Sequence, residues 1–396
     1  MKKTGLCILV IFLFLTLPQA YSESGASSIR DEILILSDGT LIDGTGAPPV
    51  ADAVVVIVNG IISSAGKLQD TEIPVDGKRI SLKGTTVLPG FINAHVHRGF
   101  SENNLMTWTY NGVTTVRDLG GNPQNDLFSF RNAVLQKPKC ARLVAAGPMV
   151  TVPGGYPSVP WGSPSALPVL SAEDAREKTN RLLDEGADII KIALESGTSF
   201  QRKIPLLSLE EARAIVDAAH KRQTIVSAHV LTSNDLEYAL DIGVDDIAHM
   251  VIDRPSQDLI MRVIRQGVVW IPTLELWHGV REGLGEAAIA NLSRFVRSGG
   301  LVALGTDYEG YNARFDLGMP IREIRWMKEA GMTPMQIIVA ATKNAARVCN
   351  LSNSIGTLEK GKIADIMIVN GNPLKDIEVL SNIKMVIHAG QIIREE

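Results

Sequence analysis

Apolar and polar positions change their period along the chain. From Glu32 to about Lys83 the apolar runs are short and strand-like: ILIL at 33–36, AVVVIVNG at 53–60 and RISL at 79–82. Asp-Gly at 38–39 and 76–77 and Asn-Gly at 59–60 punctuate them, and these dipeptides favour tight hairpin turns. The same texture returns at the other end, in ADIMIVNG at 364–371 and IKMVIHAGQII at 383–393. Together the ends predict one small β-sandwich, residues 23–84 with 355–396, and a larger domain inserted at 85–354.

Within 85–354 apolar strands alternate with amphipathic helices. Eight strands are predicted: 87–97, 113–120, 142–150, 188–194, 224–230, 245–250, 268–276 and 301–307. Helical patterns lie between most of them. Ser171 to Gly186 opens with Ser-Ala-Glu-Asp, a capping signal, and closes on glycine. Ser208 to Gln223, Ser233 to Gly243, Pro255 to Gly267 and Glu286 to Gly299 repeat the theme. Such alternation predicts an α/β fold built on a parallel (β/α)₈ TIM barrel, whose functional residues sit at the C-terminal ends of the strands.

Composition agrees with a globular chain and narrows its partners. The 396 residues are 45% hydrophobic and 21% charged, with a net charge of −4. No basic stripe runs along any element, which argues against nucleic acid. Lys2 and Lys3 precede an unbroken apolar run from Leu6 to Leu15, and Ala20-Tyr21-Ser22 places small residues before Glu23. Residues 1–22 therefore read as a secretory signal peptide. The run is too short for a comfortable span, so a secreted or periplasmic protein with no stable membrane span in its mature chain is expected. Cys140 and Cys349 are too few for a disulfide framework and read as buried apolar residues. A homo-oligomer is compatible with the sequence.

The chemistry gathers at the predicted strand ends. In an extended strand His95 and His97 point to one side, about 6–7 Å apart, and can share a metal ion. His229 closes the fifth strand, His249 the sixth and Asp307 the eighth. Lys191 lies among Ile189, Ile190, Ile192 and Ala193. Burial there would disfavour its charged form and leave a neutral amine able to form a carbamate with carbon dioxide. A carbamate has two oxygens, which suits a bridge between two metals.

With these residues the chain resembles the amidohydrolase superfamily. The resemblance includes LPGFINAHVH at 88–97, Thr-Thr-Val-Arg-Asp in the second strand and GTLEKGKIADIMIVNGNPLKD at 356–376. It implies a binuclear centre. His95, His97 and Asp307 would hold the more buried ion, His229 and His249 the other, and carbamylated Lys191 would bridge them. Two divalent metal ions are expected, zinc first, with manganese and cobalt compatible with the same ligands. A metal-bridging hydroxide would attack the substrate, and Asp307 would carry its proton to the leaving nitrogen. Lys191, with no Glu in SAHVLTSND at 227–235, favours cleavage of a small amide over deamination.

GADIIKIALESG followed by LSLEEARAIVDAAH looks most like the imidazolonepropionase-like and prolidase-like group. A dipeptide or N-acyl amino acid is the expected substrate, with a lactonase or phosphoester hydrolase as the alternative on the same site, and a catalytically silent binding protein as a third. The Pro- and Gly-rich insertion from Thr151 to Leu170 is expected to cover the mouth and to bring Tyr156 to the substrate. Arg98, Arg254, His278 and Arg281 follow strands 1, 6 and 7 as further substrate-binding candidates. Arg117 and Asp118 read as a pair near the site or as a buried structural ion pair.

Overall fold

The computed structural model describes residues 31–122, 125–311 and 313–396. The expected signal peptide at 1–22 lies outside the described residues. The remainder is a mixed α/β protein. Five strands open it: β1 (Ile33–Leu41), β2 (Val50–Val58), β3 (Ile61–Lys67), β4 (Lys78–Ser81) and β5 (Thr85–Pro89). Nine follow: β6 (Phe91–Val96), β7 (Val113–Asp118), β8 (Arg142–Ala145), β9 (Met149–Thr151), β10 (Ala166–Pro168), β11 (Ile190–Ala193), β12 (Val226–His229), β13 (Asp246–Ala248) and β14 (Val269–Ile271). Three close the chain: β15 (Ile366–Asn370), β16 (Ile383–His388) and β17 (Gln391–Glu395).

The two chain ends build one sheet, in the order β17-β16-β15-β5-β1-β2-β3 with β4 on β1. Alternation along its strands sends Leu34, Leu36, Val55 and Ile57 into one apolar cluster and Ile35, Val54 and Val56 into another. Hydrogen bonding joins all eight strands of the expected sandwich into one continuous ladder. The run predicted as a single strand at 87–97 also divides. Pro89 ends β5 in the terminal sheet, and β6 starts one residue later on the other side of Gly90. Only glycine fits that step: an added Cβ would lie 2.3 Å from Thr114 Oγ1.

The inserted strands form two parallel ladders, β6-β7-β8 and β10-β9-β11-β12-β13-β14. The expected closed eight-stranded ring is not present as one ladder. Scattered backbone bonds stand at the seams. Asp188 N–H donates to the Ala145 carbonyl at 2.9 Å, Trp270 N–H to Leu301 at 2.9 Å and Ala94 N–H to Leu304 at 2.8 Å. The eighth predicted strand, 301–307, makes only isolated bridges, Val302 with Trp270 and its neighbour Tyr308 with Val96. Its backbone turns left-handed at Asp307, φ 62°, which no regular strand accommodates.

The seventh predicted strand, 268–276, is also shorter than expected. It stops at Ile271, because Pro272 is followed by Thr273 at φ 49°. The chain then enters a helix, Leu274–Val280. Helices expected from capping signals start where they should. The Ser171 hydroxyl accepts from Asp174 N–H, and Ser208 with Glu211 forms a reciprocal capping box. Cys140 and Cys349 are buried and free. Among the described residues no helix is long and apolar enough to cross a membrane.

Candidate metal and active site

The site begins with β6, whose six residues are all buried. His95 projects from it, and His97 lies just beyond its end. Asp307 is brought to both by main-chain bonds. Its N–H donates to the His95 carbonyl at 2.8 Å, and Asn93 Nδ2 holds Thr306 Oγ1 at 2.9 Å. The Asp307 Oδ1 atom then stands 3.0 Å from His95 Nε2 and 3.1 Å from His97 Nε2.

β12 ends on His229, and His249 directly follows β13. His229 Nδ1 and His249 Nε2 are 3.0 Å apart. Thr273 Oγ1 lies 3.0 Å from His249 Nδ1 and fixes that ring from behind. The left-handed turn at Thr273 is steadied by Glu323, whose carboxyl accepts N–H bonds from Leu274 at 2.9 Å and Glu275 at 2.7 Å. His95, His249 and Asp307 offer ligand atoms within 4.8 Å of one another.

Lys191, on β11, is fully buried, and its Nζ has no hydrogen-bond partner among the described residues. Burial lowers its pKa to about 7; Asp246 and Asp307 oppose that fall and Arg117 adds to it. Burial also lowers His95 to about 3 and puts His229 and His249 well below the usual histidine range. Burial alone would lower His97 too, but the Asp307 carboxylate raises it. Asp307 is held well below the carboxylate range by His95 and His97, against the effect of burial.

Under the site Arg117 and Asp246 form a fully buried two-pronged ion pair, with contacts of 2.8 and 3.0 Å. Arg117 also donates to the carbonyls of Ala94 and Val348, at 2.6 and 2.7 Å. Asp118, the expected partner, instead accepts N–H bonds from Gly99 and Gly120 at 2.8 and 3.0 Å. Neighbours on one strand point to opposite sides, so Arg117 and Asp118 are kept apart.

His95 Nδ1, His229 Nε2 and Lys191 Nζ are all buried without a hydrogen-bond partner among the described residues. Buried polar atoms normally find one. Four imidazoles, three of them held neutral by burial, one carboxylate and one amine of depressed pKa make a donor set that fits divalent metal ions.

Of the substrate-binding candidates, Tyr156 and Arg281 line the cavity above His229, His249 and Asp307. Arg98 lines a second cleft beside His97 and pairs with Glu309 at 3.3 Å. Two candidates fall away. Arg254 belongs to a separate surface depression with Glu286, Arg294 and Arg297. His278 sits in the helix Leu274–Val280, stacked on Trp326 with ring centroids 4.0 Å apart. A helix in place of a loop turned it away. Pattern reading overlooked Thr273, Trp277, Phe200 and Asp246. Only Asp246 had a signal, three residues before His249 in DDIAHM.

The amidohydrolase family model matches residues 86–393. The chain belongs to the amidohydrolase family. It is a hydrolase of carbon–nitrogen bonds. It is 25% identical to ochratoxinase of Aspergillus niger over 92% of this chain and 86% of that one. It is 23% identical to imidazolonepropionase of Alkaliphilus metalliredigens over 86% and 90% of the two chains. In fold it is similar to a Xaa-Pro dipeptidase solved with methionine in its active site. That likeness has a TM-score of 0.77 at 24% identity, covering 91% of this chain and 99% of the other.

Proposed function

We propose that this amidohydrolase cleaves the amide bond of a dipeptide or N-acyl amino acid at a centre of two divalent metal ions, zinc first. His95, His97 and Asp307 hold one ion, His229 and His249 the other. The observation that carries the reading is Lys191: a buried amine close to these imidazoles, with no hydrogen-bond partner among the described residues. Near pH 7 much of it is neutral. Its nitrogen can bond to the carbon of carbon dioxide and release a proton, giving a carbamate whose two oxygens replace the missing partner. Closure of the parallel strands into a (β/α)₈ TIM barrel, with a β-sandwich built from the two chain ends, is part of the same proposal.

What the metals supply when bound is a water acidified toward neutrality and a polarised scissile carbonyl. The protein does the rest. Thr273 holds the His249 ring by its Nδ1 atom. Asp307 accepts a proton at Oδ2 and passes it to the leaving nitrogen. Arg281, at the cavity rim, takes the substrate carboxylate through paired charged hydrogen bonds. Export to the periplasm or medium after removal of 1–22 completes the proposal, supported by the charged start and apolar run of that segment.

Elemental analysis of protein purified without chelators tests the centre, with two ions per chain expected. Asp307→Asn should lower kcat by about 10²-fold or more, and Lys191→Ala should lose most metal and activity. Activity confined to lactones or phosphoesters across a substrate library would overturn the amide reading. An N-terminus beginning at Glu23 in the exported protein would support export; retention of Lys2 and Lys3 would defeat it.

A further inference from the structure

The catalytic groups stand between two unlike spaces. One is a cavity of about 270 Å³. Its walls are Leu276, Trp277 and Val280 from the helix Leu274–Val280, with Leu284, Ile252 and Phe200. Apart from the proposed metal ligands, its only charged lining residue among those described is Arg281. The other space is a wider cleft of about 740 Å³, on the His97 side, lined largely by polar groups such as Asn104, Asp118, Ser163 and Ser165. Tyr156 and Gly310 line both and divide them.

Asp307 settles which half of a substrate goes where. It lines the apolar cavity and not the cleft. In the proposed reaction Asp307 delivers the proton to the leaving nitrogen, so the amine half lies on the apolar side. There its carboxylate meets Arg281, which makes no ion pair among the described residues, whereas Arg98 in the cleft is already paired with Glu309.

We propose that the leaving half is an α-amino acid with a bulky apolar side chain, which fills the cavity walled by Leu276, Trp277, Val280 and Leu284. Its carboxylate binds Arg281, and the acyl half, which is polar, occupies the cleft beside His97. This rests on the amide-hydrolase reading above. Leu284 and Val280 set the depth available to the side chain, and Tyr156 separates it from the acyl half.

Two substrate series test it on the metal-loaded enzyme. In the first, the acyl group is always acetyl and the amino acid is glycine, alanine, leucine or phenylalanine. From glycine to phenylalanine kcat/KM should rise by about 30-fold or more, the scale of burying one large apolar side chain. In the second, glycine is constant and the acyl group grows from acetyl to hexanoyl to benzoyl; here kcat/KM should stay within about threefold, since the cavity is not used. A steep second series with a flat first one overturns the assignment. Leu284→Trp, and Val280→Phe as an independent filling of the same space, should bring the phenylalanine-to-glycine ratio toward one. An unchanged ratio in both folded variants also overturns it.

Calorimetry separates this inference from the reaction itself. Free phenylalanine should bind the loaded enzyme at least about tenfold more tightly than glycine, and Arg281→Ala should weaken it, with Arg281→Lys recovering part. Selective binding without any amide hydrolysis would sink the hydrolase reading and support the cavity. Hydrolysis of amides with equal binding of the two amino acids would do the reverse.

Discussion

The Tyr156 ring lies flat on the His229 imidazole, with centroids 4.1 Å apart and planes 18° from parallel. The contact ties the 151–170 insertion to a proposed metal ligand. Phe200 also stacks on Tyr156, with ring centroids 6.2 Å apart.

Removing that ring should uncover His229. Tyr156→Ala is expected to lower kcat/KM by roughly fivefold, the scale of one lost aromatic pair at about 1 kcal/mol. Tyr156→Phe keeps the stack and should stay within about threefold of the parent. Steady-state kinetics on both variants decides it. Equal losses in Ala and Phe would move the role from the ring to the hydroxyl.

Gly310 presses against Asp307. A Cβ added there would come within 2.2 Å of Asp307 Oδ2 and 2.4 Å of its Oδ1. Gly310→Ala should therefore displace the carboxylate. We expect kcat to fall by about 10²-fold, as when a general acid–base is misplaced, while the melting temperature changes little. Activity near the parent level would show that Asp307 tolerates the shift.

Asp246 neutralises a guanidinium that has no solvent at all. Asp246→Ala leaves Arg117 charged and buried, at a cost of about 3–5 kcal/mol. Denaturant unfolding should show that loss, and metal binding should weaken with it, because Arg117 also holds the Ala94 carbonyl beside His95. A change under about 1 kcal/mol would mean the pair is easily replaced.

Glu323 gives a pH dependence with a definite sign. Burial pushes its pKa from 4.5 up to about 8, against the two N–H bonds it accepts. Burial with the nearby Asp316 and Glu323 pushes Glu275 up to about 9. Between the ordinary value and the raised one, the folded protein holds protons that the unfolded chain has released. The stability these two groups contribute is therefore fully present below pH 4.5 and is lost as pH rises through about 8 to 9. Glu323→Gln should shrink the drop in melting temperature between acid and alkaline buffer without abolishing it, since Glu275 still titrates. It should also cost about 1 kcal/mol for the N–H left without an acceptor. An undiminished drop would place the effect elsewhere.

Much of the site was legible because strand ends leave a local mark. His95, His229 and His249 each follow a short apolar run, and Lys191 stands out inside one. Helix starts at Ser171 and Ser208 were legible for the same reason, since capping depends on residues three apart. What escaped depends on distant parts of the chain. The turn at Thr273 is held by Glu323, which no local pattern announces, and so the seventh strand was read too long and His278 was misplaced. The partner of Arg117 lies on another strand, at Asp246. Arg254 follows the sixth strand as expected, yet the chain carries it to a different surface depression. How strands distribute among sheets was equally hidden: β5 and β6 form one apolar run split by Pro89 and Gly90.

That split ties the beginning of the protein to its end. β5 is flanked by β1, which is synthesised before it, and by β15, which pairs Ile366 with Pro89 and Asn370 with Thr85. On the ribosome, Thr85–Pro89 must therefore wait, with one row of amides and carbonyls open, until nearly all the chain has been translated. Open strand edges recruit other strands. A premature stop just before Ile366 would produce a polypeptide that carries every proposed metal ligand yet aggregates through β5.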